Sequence, residues 1–112
     1  MINKTEQLEN LKKEVTFDSE GFYPGLADDQ NKTVLMNLFG NIIDDFMSAA
    51  EQNYNDKDYV NLISKSIIRF DPYNLDTEDR EYICSSFEKI MDIVGLESSE
   101  GVLNEWMYGF DL

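Results

Sequence analysis

With 112 residues, 42% of them hydrophobic and seven of them Phe, the chain is long enough to close one core, too short for two, and too apolar to remain disordered. Twenty-three Asp and Glu against nine Lys and Arg give a formal charge of −14. Such a field repels nucleic-acid phosphates and anionic membranes, so direct binding to either is not expected.

Asn3 followed by Glu6 resembles a capping box, and Leu8, Leu11 and Val15 recur at helical spacing, which predicts a first helix from about Lys4 to Val15. The helix is short and half polar, so it is expected on the outside. Thr16 to Asp29 contains Gly21, Pro24 and Gly25 and reads as a long connecting loop, with a type II turn at Tyr23-Pro24-Gly25 where glycine tolerates positive φ. Phe17, Phe22 and Tyr23 are expected to pin this loop to the core.

Val34, Leu35, Leu38, Phe39, Ile42, Phe46 and Ala49 share one stripe of a second helix, from about Gln30 to Asn53. A third helix runs from about Asp56 to Phe70, capped by Asn55 or Asp56, with Tyr59, Leu62, Ile63, Ser66, Ile67 and Phe70 inward and Ile68 outward. It must end before Asp71-Pro72, because the residue preceding proline is forced from helical geometry. A fourth helix is capped by Asp76 or Thr77, carries Ile83, Phe87, Ile90, Met91 and Val94 on its stripe, and stops at Gly95. A last short helix begins at Ser98 or Ser99 and carries Val102, Leu103, Trp106 and Met107. No segment alternates like a strand and no repeat is present. The expected fold is all-α, a single compact domain over residues 1–112 of four to five helices with a long N-terminal loop.

The absent residues narrow the chemistry. There is no histidine, which removes Ser-His-Asp and Cys-His catalysis and histidine-based zinc sites. Cys84 is the lone cysteine, so no internal disulfide can form; its acidic neighbours should raise its pKa and leave an inert, partly buried thiol. Asp44 and Asp45 are neighbours on a helix and do not face each other, so they cannot share a proton or a metal without a further ligand. A solvated Asp44, and an Asp45 paired with Arg69 or Lys65, are expected. The segments from Asn53 to Asp58 and from Asp71 to Asp76 only superficially resemble calcium loops, since neither carries the required glycine and glutamate, and they read as caps and turns. No catalytic residue, metal or cofactor is expected. The first fifteen residues lack a signal-peptide core and nothing later approaches the length of a membrane span, which predicts a cytoplasmic protein.

The acidity is uneven. From Asp71 to the end there are eleven acids and two bases, Arg80 and Lys89, so a basic partner would be steered towards that half, although such acidity also serves plain solubility, which is the favoured reading of it. Three surfaces could bind a protein. The favoured contacts stand around the start of the fourth helix, with Asp71, Asp76, Glu78, Asp79, Glu81 and Tyr82. Another is a second stripe of that helix, Tyr82, Ser86 and Ile93, with the outward Ile68, and the last is the terminal cluster Trp106, Met107, Tyr108, Phe110 and Leu112, rich in the residue types that dominate interfaces. This cluster could instead pack back over that second stripe.

The run Leu75-Asp-Thr-Glu-Asp-Arg-Glu-Tyr-Ile-Cys84, then Ile90-Met-Asp-Ile-Val-Gly-Leu-Glu-Ser-Ser99, Gly101, Leu103-Asn104 and Trp106-Met-Tyr-Gly109, resembles a small bacterial family known only as a domain of unknown function. Phe22-Tyr-Pro-Gly-Leu26 is similar as well. The resemblance implies an all-helical fold and no known activity, cofactor or catalytic residue. The leading expectation is a non-catalytic protein-binding module, an immunity- or antitoxin-type inhibitor that meets a basic toxin or enzyme through its acidic C-terminal half. The alternative is a regulatory or structural subunit that self-associates through the terminal aromatic cluster, so the chain is either a monomer or a homodimer. A DNA mimic and a small-ligand carrier or enzyme are further options.

Overall fold

A computed structural model describes residues 3–109, which form helices α1 (Lys4–Glu14), α2 (Lys32–Glu51), α3 (Asp56–Ile67), α4 (Thr77–Val94) and α5 (Val102–Tyr108). Single 3-10 turns at Asp29–Asn31 and Ile68–Phe70 lead into α2 and out of α3. Among the described residues there is no strand, only one isolated bridge between Glu20 and Tyr23, and the fold is an all-α bundle.

Local chemistry sets most of the helix ends. Asn3 accepts a hydrogen bond from the Glu6 amide at 2.8 Å, while Asn55 with Asp58 and Asp76 with Asp79 form complete reciprocal capping boxes. The backbone leaves α2 through Asn53 in the left-handed region (φ 58°), and the Tyr54 amide reaches back to the Ala49 carbonyl. Gly95 (φ 80°) ends α4 in the same way, with Leu96 folded under and buried. The last helix starts three residues later than Ser99. Glu100 and Gly101 both take positive φ, which unwinds the chain there, although Ser99 Oγ still accepts from the Leu103 amide at 3.4 Å.

The core is one continuous cluster fed by all five helices. Phe87 of α4 stands at its centre, meeting Phe39, Phe46 and Phe70 edge-on at centroid distances of 6.1, 6.5 and 6.4 Å. Helix α1 is not peripheral as its composition suggests. It packs on α2 and α4 and buries Leu8, Leu11 and the adjoining Val15, since even a narrow apolar stripe suffices when two helices close over it. On α2 the buried arc shifts towards Ile43, which is fully buried, and away from Val34, which is exposed, because α2 is flanked by both α1 and α3. Ile68 is exposed, as its position on the wheel requires. The radius of gyration is 13.6 Å, against about 13 Å for a compact chain of this length.

Helix α5 lies across α3 and α4, fastened by Trp106. The indole donates to Asp71 Oδ1 at 2.7 Å, and the Arg80 guanidinium sits 4.6 Å from the ring centroid while donating to the Trp106 carbonyl. Trp106 thus lies against α3 and α4, while of the second α4 stripe Tyr82 is covered by the loop between α1 and α2 and Ile93 lies beside α1. Phe110 and Leu112, the rest of the terminal cluster, lie outside the described residues. On the surface Arg69 pairs with Asp45 at 3.5 Å as anticipated. Asp44 is exposed yet not simply solvated, since Lys12 of α1 reaches it at 2.6 Å. Among the described residues no helix is long and apolar enough to cross a membrane.

Candidate functional site

The Asp76–Asp79 box that starts α4 turns the Asp79 side chain inward. There it is fully buried and gathers donors from the long loop: Tyr23 Oη at 2.9 Å and the Ala27 amide at 3.4 Å, besides the Asp76 amide at 3.3 Å. Burial pushes the Asp79 pKa above its ordinary value, with the hydrogen bonds from Tyr23 and the backbone opposing that rise. Burial, with the hydrogen bond to Asp79 second, also drives the Tyr23 phenol far up, so Tyr23 stays a neutral donor.

Tyr23 stacks on Tyr82 of α4, ring centroids 4.3 Å apart and planes 17° from parallel. The Tyr82 hydroxyl accepts from the amides of Thr16 and Phe17 at 3.2 and 3.3 Å, and the Phe17 ring lies 5.1 Å from Tyr82. Phe17 is buried although its φ is 58°. A bulky residue in that region carries strain, offset here by its buried ring and by the Leu26 amide on its carbonyl at 3.1 Å. Gly25 has the positive φ (97°) that the Tyr-Pro-Gly motif predicts. Lys32 pairs with Asp18 and ties the loop to the start of α2. Phe17 and Tyr23 thus pin the loop as expected, but Phe22 does not: its side chain is entirely in solvent. Phe22 stands with Gly21 at the tip of the turn closed by Glu20 and Tyr23, where nothing covers its ring.

Between this loop and α4 lies a groove of about 350 Å³. Glu20, Gly21, Phe22 and Tyr23 form one wall; Glu78, Glu81, Tyr82, Ser85, Ser86 and Lys89 form the other. Of the residues that the sequence singles out, Glu78 and Glu81 stand exposed on its rim and Tyr82 is a half-buried wall residue. Asp76 is exposed beside them as the cap. Asp79 is a correction: with no surface in solvent it cannot touch a partner, because the capping box and the loop hold it inside. Asp71 is exposed but engaged by Trp106, on the α5 side of the fold. Sequence reasoning missed Glu20, Phe22 and Lys89, which reach the groove only through the loop's path and the α4 register.

Cys84 is buried, and its pKa is pushed up to about 12 by burial first and by Glu88 and Glu81 next, against the pull of Arg80. Among the described residues no three His, Cys, Asp or Glu side chains gather closely enough to hold a metal ion. What the groove presents is an acidic rim, aromatic walls and an exposed ring.

The model of the family described as "Domain of unknown function (DUF4844)" matches residues 1–111. The chain belongs to that family. The all-α fold recurs in the crystal structure of a DUF3571 family protein from Acinetobacter baumannii AYE, which is 35% identical, aligned over 95% of this chain and 89% of that one with a TM-score of 0.85. No curated protein matches the chain. The DUF4844 assignment agrees with the resemblance carried by the Leu75–Cys84 and Ile90–Ser99 runs.

Proposed function

We propose that this DUF4844 chain is a non-catalytic protein-binding module, an immunity- or antitoxin-type inhibitor acting in the cytoplasm against a basic toxin or enzyme. The observation that supports this reading most is the start of α4, where Glu78, Glu81 and Asp76 stand exposed with no ion-pair partner among the described residues. Carboxylates left without a cation inside the fold keep their field for a cation outside it, which speeds association and selects the partner. The buried Asp79 strengthens the arrangement indirectly by holding loop and helix together at that end.

The test is co-expression with the basic proteins of the producing cell that are toxic when expressed alone. The expected result is that this chain rescues the cells from one of them, with a stoichiometric complex that weakens as salt rises and with the double charge reversal Glu78→Lys, Glu81→Lys. Complex formation indifferent to both salt and charge reversal would overturn the reading. The competing proposal, self-association through the terminal aromatics, draws on the exposure of Tyr108 and Ile68. Light scattering decides it, since a mass that stays monomeric at every concentration removes it.

A further inference from the structure

Phe22 is the most exposed large hydrophobic residue of the described chain, and the fold holds it there. Glu20 and Tyr23 exchange backbone hydrogen bonds of 2.9 Å in both directions around a two-residue turn. Gly21 supplies the positive φ (58°) that the turn needs; a Cβ there would meet nothing within 4 Å, so conformation and not crowding calls for glycine. Behind the turn Tyr23 is clamped by Tyr82 and Asp79. An aromatic ring left in water contributes nothing to folding, and it is among the side chains that gain most on entering a partner's pocket. Fixing the backbone of the turn beforehand removes part of the ordering cost of binding.

The surroundings define the partner's chemistry. Glu20, Glu78 and Glu81 share the groove with Phe22, opposed only by Lys89, and none of the three makes an ion pair among the described residues. A second copy docked on this face would set the same carboxylates, and a charge of −14, against themselves. We propose that the Phe22 turn is a docking knob for a basic protein, entering an apolar socket ringed by Lys or Arg side chains that meet Glu20, Glu78 and Glu81. The proposal rests on the protein-binding reading above and adds to it the anchor residue and the form of the socket.

The experiment places photoreactive p-benzoylphenylalanine at position 22 of the full chain in the cells that produce it, then measures binding of the crosslinked protein, purified, to unmodified chain. Capture alone decides nothing. The supporting result is one adduct to a basic protein, mapped to a pocket rimmed by Lys or Arg and lost in the Glu78→Lys, Glu81→Lys background. With it, Phe22→Ser weakens the dissociation constant by about tenfold or more while the melting temperature stays unchanged. If charge reversal abolishes binding and Phe22→Ser does not weaken it, the knob is wrong and the acidic reading stands. If Phe22→Ser weakens binding and neither salt nor charge reversal does, the basic ring is wrong. An adduct of twice the chain mass, or no adduct at all, overturns the proposal.

Discussion

Asp79→Ala is the substitution that most directly tests how the loop is held to α4. The buried carboxylate accepts from Tyr23 Oη at 2.9 Å, the Asp76 amide at 3.3 Å and the Ala27 amide at 3.4 Å, so truncation strands one phenol and two amides. A good hydrogen bond to a charged group contributes about 1.5–3 kcal/mol, but two of these are long and the carboxylate's own desolvation subtracts, which leaves an expected loss of about 2–4 kcal/mol. For a chain of this size that loss lowers the melting temperature by about 10–20 °C. Urea unfolding followed by circular dichroism measures the loss, and amide exchange should show the Ala27, Thr16 and Phe17 amides opening first.

The pH dependence carries a sign. Asp79 has a raised pKa in the folded chain, so the folded state keeps its proton to higher pH than the unfolded state does. Protonation of this group therefore favours folding: its contribution is greatest below the ordinary carboxylate range and declines as pH rises through the raised value. The difference in stability between wild type and Asp79→Ala should accordingly be largest at low pH and shrink as pH rises above the ordinary carboxylate value. A loss under about 0.5 kcal/mol at neutral pH, within the range of an ordinary surface change, would refute the account of the clamp. A difference that widens as pH rises would refute the account of its titration.

Four further outcomes are expected. Phe87→Ala empties the centre of the aromatic cluster and should cost about 3–5 kcal/mol in denaturant unfolding, a loss that surface substitutions nearby should not match. Gly25→Ala should cost about 1–2 kcal/mol for the positive φ alone, and more because the new Cβ would lie 3.3 Å from the Ser19 amide nitrogen; calorimetry reads the shift. Lys12→Met removes the 2.6 Å pair with Asp44, and because both side chains are partly exposed the effect should stay below about 1 kcal/mol and fade in high salt. The Cys84 thiol, raised to about 12, should resist iodoacetamide at neutral pH in the folded chain and react on unfolding; rapid labelling of native protein would contradict its burial.

Most of the fold is written locally in the chain. Asn55, Asp76 and Gly95 act on their own helices within a few residues, so capping chemistry and the 3.6-residue period predict α3 and α4 closely. The late start of α5 escaped that logic because Glu100 and Gly101 adopt left-handed geometry, a choice that no serine cap signals. The candidate site was legible only in part. Glu78 and Glu81 were visible as exposed helix-start acids, whereas Asp79, next to Glu78 and equally acidic, proved buried, because it stands four and eight residues before Ile83 and Phe87 on the inward stripe and the loop closes over it.

Chain-local information thus determined the helices, their caps, the apolar stripes and the surplus of negative charge, since each depends on residues a turn apart. The tertiary structure decided what residues dozens of positions apart do to one another. It brought Tyr23 onto Tyr82 and Asp79, drew α1 into the core, and placed Trp106 between Asp71 and Arg80. It also left Phe22 in water beside Glu78 and Glu81. The physical reason is that hydrogen-bond partners and excluded water are properties of the assembled surface: the same aromatic letter is a clamp at position 23 and a free ring at position 22.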